Sequence, residues 1–198
     1  MPQTRVIVGL GNPGKAYTRT RHNFGFLVLE QLVQENRCRF KKSLIFKSFV
    51  ARTTVDDEKV YFLLPLTFMN LSGRAVKAFV QKKKIALENI LVVCDDLDLD
   101  FGVLRLKAQG SSGGHKGLES LIEQLRTKEF ARLRLGIGRC PPGQEASDYV
   151  LSEFGSQEKK KLEGIIEEAL GCCRLWIQEG TTRSMSRFNR KNKHDQQI

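Results

Sequence analysis

Histidine is the scarcest of the chemically versatile residues in this chain: three in 198, at His22, His115 and His194. Most recognisable chemical signatures are missing altogether. There is no HExxH, no Cys/His cluster and no cage of carboxylates, so nothing calls for a metal. No GxxxxGK[ST] is present to cradle a nucleotide triphosphate, and no GxSxG elbow to present a nucleophilic serine. Cysteine is limited to Cys38, Cys94, Cys140, Cys172 and Cys173, an odd number without a CxxC pair. They read as reduced core thiols of a cytoplasmic protein. No apolar run is long enough to span a bilayer. The opening MPQTRVIVGLGNPG is broken by glycines and a proline, with no cleavage site after it, and reads as a first strand instead of a secretory signal.

Positive charge, by contrast, is plentiful. Thirty-three Lys and Arg stand against twenty-two Asp and Glu, a formal net charge of +11. An excess of this size points to a polyanion, above all a nucleic acid. Charge alone leaves a solvated basic surface open and does not separate RNA from DNA.

Apolar runs and helical periods alternate along the chain. Arg5–Leu10 reads as a strand entering a Gly-Leu-Gly-Asn-Pro-Gly loop, and the apolar spacing predicts a helix over about His22–Asn36. Leu44–Thr54 and Lys59–Leu64 read as paired strands with a turn at 55–58. A second helix follows over Leu71–Lys84, then a strand at Ile90–Cys94, apolar throughout and so buried on both faces. Val103–Lys107 alternates, with Arg105 and Lys107 on one face. A glycine loop at 110–114 leads to a third helix, Arg132–Gly138 reads as a further alternating strand, and Leu162 to Ile177 mark a long last helix. The pattern predicts a single α/β domain, a mixed twisted β-sheet flanked by helices, over residues 1–188. From about Arg183 the chain turns basic and core-poor, giving residues 189–198 as a loosely held tail that holds His194.

Gly9-x-Gly11-x-x-Gly14 matches the dinucleotide fingerprint by spacing alone. Pro13 sits in the turn, the helix starts some way downstream, and no acidic residue ends a second strand where a ribose would need it. The glycines more simply allow a sharp turn that presents Asn12. His22 and His115 each open a helix beside a glycine loop, where binding crevices of open α/β sheets form. Asp95-Asp96 ends an otherwise apolar strand. A carboxylate such as Asp95 can fix the tautomer of His22 and stabilise its imidazolium, leaving the other ring nitrogen to take a proton from water. Asn12 and Asn70 offer donors and acceptors to a peptide, although Asn70 or Ser72 could equally cap the second helix.

Together the segments Val8-Gly-Leu-Gly-Asn-Pro-Gly14 with Tyr17, Thr20-Arg-His-Asn23, Thr67-Phe-Met-Asn-Leu-Ser-Gly73, Asp95-Asp-Leu-Asp-Leu99, Gly113-Gly-His115 and Arg132-Leu-Arg-Leu-Gly-Ile-Gly138 resemble the bacterial-type peptidyl-tRNA hydrolases. The likeness runs from about residue 5 to residue 188. It implies a monomer that cleaves the ester between a peptide and the 3′-terminal ribose of tRNA, with no cofactor, no metal and no membrane. It further implies His22 as general base, Asp95 as its partner, Asn12 and Asn70 positioning peptide and carbonyl, and Tyr17 and Phe68 lining the entrance. Arg105, Lys107 and Arg134 fall where the family uses cations against tRNA phosphates. Lys116 departs from the family's usual asparagine: it can contact the tRNA end only as a donor. Arg105 replaces a frequent lysine. The alternative is a catalytically silent RNA-binding protein on the same fold; a dinucleotide-dependent oxidoreductase comes third.

Overall fold

The computed structural model describes residues 4–194, with side chains to 189. Seven strands form one mixed sheet: β1 (Thr4–Gly9), β2 (Lys41–Ser43), β3 (Ser48–Val55), β4 (Glu58–Pro65), β5 (Ile90–Asp96), β6 (Leu104–Lys107) and β7 (Ala131–Gly136), in the order β2-β3-β4-β1-β5-β7-β6. The central strands β4, β1, β5 and β7 run parallel, and both edges are antiparallel. Parallel strands need helical cover on both faces, and their residues show it. Val6, Ile7 and Val8 are all fully buried. Ile7 joins a core beneath α1 (Phe24–Glu35) and α5 (Ser156–His194), whereas Val6 and Val8 join a second core beneath α2 (Ser72–Lys83) and α3 (Lys116–Leu125).

Asp56 and Asp57, both with positive φ, make the tight β3–β4 hairpin that the sequence places there. The strand expected from Leu44 instead begins at Ser48. Residues 44–47 form the turn from β2 to β3, and Leu44 and Ile45 stand 80% and 84% exposed at its tip. β7 does not alternate: Arg132 is buried along with its apolar neighbours. Its guanidinium donates to the carbonyls of Gly110 and Ser111 (2.8 and 3.1 Å) and of Lys128 (2.9 Å), so a residue that looks solvent-facing holds the glycine loop.

The last helix passes well beyond Ile177. It bends at Gly180, where φ is +72°, and continues to His194. Ser184 and Phe188 are buried, and the Asn189 side chain pairs with the Leu106 backbone through both its oxygen (3.1 Å) and its amide (2.9 Å). The segment from Arg183 to Asn189 is therefore docked on β6, not loose; residues 195–198 and the side chain of His194 lie outside the described residues. A short helix absent from the sequence reading, α4 (Ala146–Val150), is pinned by the Tyr149 hydroxyl, which donates to the Ile137 carbonyl at 2.7 Å. No helix among the described residues is long and apolar enough to cross a membrane.

Candidate active site

The carboxyl ends of β1, β4 and β5 open onto the same edge of the sheet, the place where open α/β folds gather their ligands. Asp95 comes from the end of β5, Asn12 from the loop after β1, Met69 and Asn70 from the turn after β4. His22 lies in a single 3-10 turn, Arg21–Asn23, that leads into α1. Gly25 lets this helix sit on the strand ends: a Cβ there would meet the Val93 carbonyl oxygen at 2.3 Å and Leu10 backbone at 2.7 Å. Gly9 likewise faces the Gly25 carbonyl at 2.5 Å, and Gly11 faces the ring of Phe26. The apparent dinucleotide fingerprint is thus spent largely on close packing, with α1 starting only at Phe24.

The turn bearing His22 is fixed from both sides. The Arg21 guanidinium makes two bonds to Glu158 (2.7 and 2.8 Å) and lies over the Tyr149 ring at 4.4 Å. The Tyr17 carbonyl accepts from both the amide and the hydroxyl of Thr20, at 3.0 and 2.9 Å. Asn23 reaches back to the Asn12 backbone, accepting its N–H at 2.8 Å and donating to its carbonyl at 3.0 Å. Asn12 in turn accepts the Met69 N–H on its own side-chain oxygen at 2.8 Å. Three loops are so laced into one unit, and the Asn12 amide group is the half of that side chain without a partner among the described residues.

His22 Nδ1 lies 2.9 Å from both carboxylate oxygens of Asp95. A carboxylate only accepts, so Nδ1 carries the proton and Nε2 presents its lone pair. The ring is nearly buried, with 10% of the side chain exposed. Burial by itself would lower the His22 pKa; the charge of Asp95 and its hydrogen bond outweigh that, and the value rises above the usual 6.5. Asp95 shows the converse balance. Burial works to raise its pKa, but His22 and His115 outweigh it and hold the carboxyl far below the ordinary range.

His115 is the residue that sequence reasoning left without a role. Its Nε2 lies 3.0 Å from Asp95 Oδ1, and its ring centroid is 4.8 Å from that of His22. Its Nδ1 accepts the backbone N–H groups of Gly117 (3.0 Å) and Leu118 (3.3 Å), capping α3. Both nitrogens are occupied, and Nε2 must be the protonated one. The available signal was its position straight after Gly113-Gly114; what could not be read was that α3 returns to the end of β5. His22, Asp95 and His115 are also the one group among the described residues whose possible metal-ligating atoms converge, within 4.8 Å. Those atoms are bonded to one another, and a cation between them would have to displace both imidazole protons.

A cleft of about 410 Å³ opens over this trio, lined by Asp96, Gly113, Gly114, Lys116 and, from α4, Ala146, Ser147 and Val150. Asn12, 8% exposed, does not itself line the cleft but is bonded to Asn23, the residue after His22. Phe68, 58% exposed, and Asn70 stand on the turn that Asn12 grips. Neither Asn70 nor Ser72 caps a helix with its side chain, so Asn70 is left available. Tyr17 is half-buried and is not among the residues that line the cleft. Lys116 extends outward and binds Glu119 at 3.1 Å. On the β6 edge Arg105 is exposed and Lys107 half-buried, on one face as expected. Arg134, opposite Arg105 in register, is instead committed: its guanidinium bonds Asp96 and lies 3.6 Å from Asp98. Expected to meet tRNA phosphate, it is already neutralised within the protein.

Comparison with known proteins agrees with this geometry. The family model described as peptidyl-tRNA hydrolase matches residues 6–196. The peptidyl-tRNA hydrolase of Desulfitobacterium hafniense (strain Y51) is 46% identical over 186 residues, covering 94% of this chain and all of the relative. That of Methylacidiphilum infernorum (isolate V4) is 46% identical over 184 residues, covering 93% and 97%. The crystal structure of peptidyl-tRNA hydrolase from Acinetobacter baumannii superimposes with a TM-score of 0.88 at 38% identity, over 96% of each chain. With sequence and fold matched end to end, and a histidine–carboxylate pair where the sheet opens, the chain belongs to the peptidyl-tRNA hydrolase family.

Proposed function

We propose that this chain hydrolyses the ester joining a peptide, or an N-blocked amino acid, to the 3′-terminal ribose of tRNA, recycling tRNA from prematurely released peptidyl-tRNA, with His22 as general base. The observation that carries the assignment is the 2.9 Å contact of His22 Nδ1 with Asp95: a carboxylate there calls for Nδ1–H, which makes Nε2 the basic nitrogen. Nε2 takes a proton from water as the water oxygen bonds to the ester carbonyl carbon. Asp95 stabilises the resulting imidazolium without being protonated itself. As the intermediate collapses, the carbon–oxygen bond to ribose breaks and the proton on Nε2 passes to the ribose oxygen. The free amide of Asn12 supplies a donor for the carbonyl side of the substrate, where negative charge develops. Asn70 positions the peptide with Asn12, and Tyr17 and Phe68 line the entrance for the tRNA end and the peptide. Arg105 and Lys107 receive phosphate, while Arg134 acts on them from behind by keeping Asp96 and Asp98 occupied. The reading requires no cofactor or metal and is that of a cytoplasmic monomer.

The silent RNA-binding alternative finds no support: the family is a hydrolase family, and the pair such a protein would lose is intact. The test is peptide release from N-acylated aminoacyl-tRNA by wild type and His22→Ala. Loss of a general base lowers turnover by about 10²–10⁴-fold, with tRNA binding retained. Near-wild-type turnover in the variant would remove His22 from this role.

A further inference from the structure

A second concave surface lies on the opposite edge of the sheet from β6. It is a groove of about 500 Å³ between the β2–β3 edge and α2. Strand register explains its charge. Lys41 lies opposite Val50 and Arg52 opposite Tyr61. Opposed residues share a face, and Val50 and Tyr61 belong to the core on the α2 side. Lys41 and Arg52 therefore emerge on that face, where Lys83, from the last turn of α2, stands over the Tyr61 ring at 5.4 Å. Arg39 and Lys42 complete the rim. All five are exposed, no carboxylate lines the groove, and among the described residues none of the five forms an ion pair. Elsewhere the protein pairs its arginines readily, as with Arg5, Arg21, Arg134 and Arg174. Five unpaired cations around one concavity repel each other in the free protein and are relieved only by an anion.

The floor says what kind of anion. Phe46 and Tyr61 both pack edge-on against Phe79, at 5.0 and 5.3 Å, and seal the groove beneath the cations. Tyr61 and Phe79 are buried in that floor, and the ring of flexible point charges above it suits the regularly spaced phosphates of a nucleic-acid backbone. The groove is also separate from the β6 cations. Seven strands at about 4.8 Å spacing put the two edges roughly 29 Å apart. Between them α3 exposes Glu123, which forms no ion pair among the described residues and would repel a backbone laid across it.

We infer that the groove between β2–β3 and α2 binds the phosphate backbone of a second RNA, distinct from the tRNA whose ester occupies the cleft. The test uses the full chain and a fluorescent RNA hairpin with a blocked 3′ end, titrated over a range of salt. Wild type binds two hairpins per chain. Lys41→Glu/Arg52→Glu/Lys83→Glu binds one, and the milder Lys41→Gln/Arg52→Gln/Lys83→Gln weakens that site by at least about tenfold, lowering its log–log salt slope by up to about 2.7. Both keep the KM and kcat of wild type on peptidyl-tRNA, whereas Arg105→Ala/Lys107→Ala raises KM. Unchanged hairpin stoichiometry and slope in both groove variants would overturn the inference. So would a rise in KM that tracks the lost hairpin site, which would give the groove to the substrate itself, or preferential binding of an acidic peptide. Failure of the hydrolase reading would appear separately, as absence of turnover in wild type.

Discussion

Two histidines open two helices, face one carboxylate and lie with ring centroids 4.8 Å apart, yet they are chemically unlike. His22 uses one nitrogen and keeps the other free; His115 spends both, one on Asp95 and one on the backbone of α3. Proximity to a carboxylate therefore does not make a base. What decides is the accounting of the second nitrogen, and only His22 passes. His115 is in this view a positioning residue: it fixes one oxygen of Asp95 and the start of α3, and so Lys116, the first residue of that helix, at the rim of the cleft.

The strongest way to break this distinction is to remove the carboxylate that both rings share. Asp95→Asn retains the volume but lets the amide donate to His22 and favour the wrong tautomer, so we expect a loss of about 10²–10⁴ in kcat/KM. The pH profile provides a second reading. Activity needs His22 unprotonated, and because Asp95 favours the imidazolium and raises the His22 pKa, we expect the wild-type acid limb above the usual histidine value. Without that charge the lowering effect of burial prevails and the residual activity extends to lower pH. A limb that stays in place would show that Asp95 does not set the basicity of His22.

His115→Ala tests the other ring and has a smaller effect. Asp95 loses one donor, becomes a stronger acceptor for His22–H⁺, and the acid limb moves upward, opposite to Asp95→Asn. We expect kcat to fall by about tenfold, equivalent to about 1.4 kcal/mol, with His22 still in place. α3 loses its N-terminal acceptor at a further cost of about 1 kcal/mol in stability, measurable by urea unfolding. A loss as large as that of His22→Ala, with no shift of the limb, would mean that His115 itself handles protons.

The same contrast shows what a sequence can and cannot disclose. The meeting of His22 with Asp95 was legible because each interrupts a regular pattern at a loop or strand end, and the fold class followed from alternating apolar periods. His115 has the same local appearance as His22, but its meaning depends on which strand end α3 returns to, a tertiary fact. Arg134 alternates like Arg105 on the neighbouring strand; only its pairing with Asp96 separates a committed cation from a free one. The five-residue α4 is too short to display a helical period. The 183–189 segment looks core-poor because its buried residues, Ser184 and Phe188, are few and one is polar. Its anchor to β6 is an asparagine reading a backbone, which leaves no hydrophobic signature.

The smallest expected effect belongs to the departure from the family pattern, Lys116. Its ammonium is held by Glu119 at 3.1 Å, with both side chains more than half exposed, and an ion pair of that kind contributes about 0–1 kcal/mol. Lys116 is also the first residue of α3, a position fixed by the His115 cap and not by its own side chain. Lys116→Asn therefore leaves the His22–Asp95–His115 chain untouched, and we expect kcat and the pH limb to stay where they are. Lys116 still borders the cleft, so on loss of its charge KM for peptidyl-tRNA rises by about threefold at low ionic strength and converges with wild type as added salt shortens the Debye length. A change in kcat, or a KM difference indifferent to salt, would place Lys116 in contact with the ester and make the loop after Gly114 part of the chemistry.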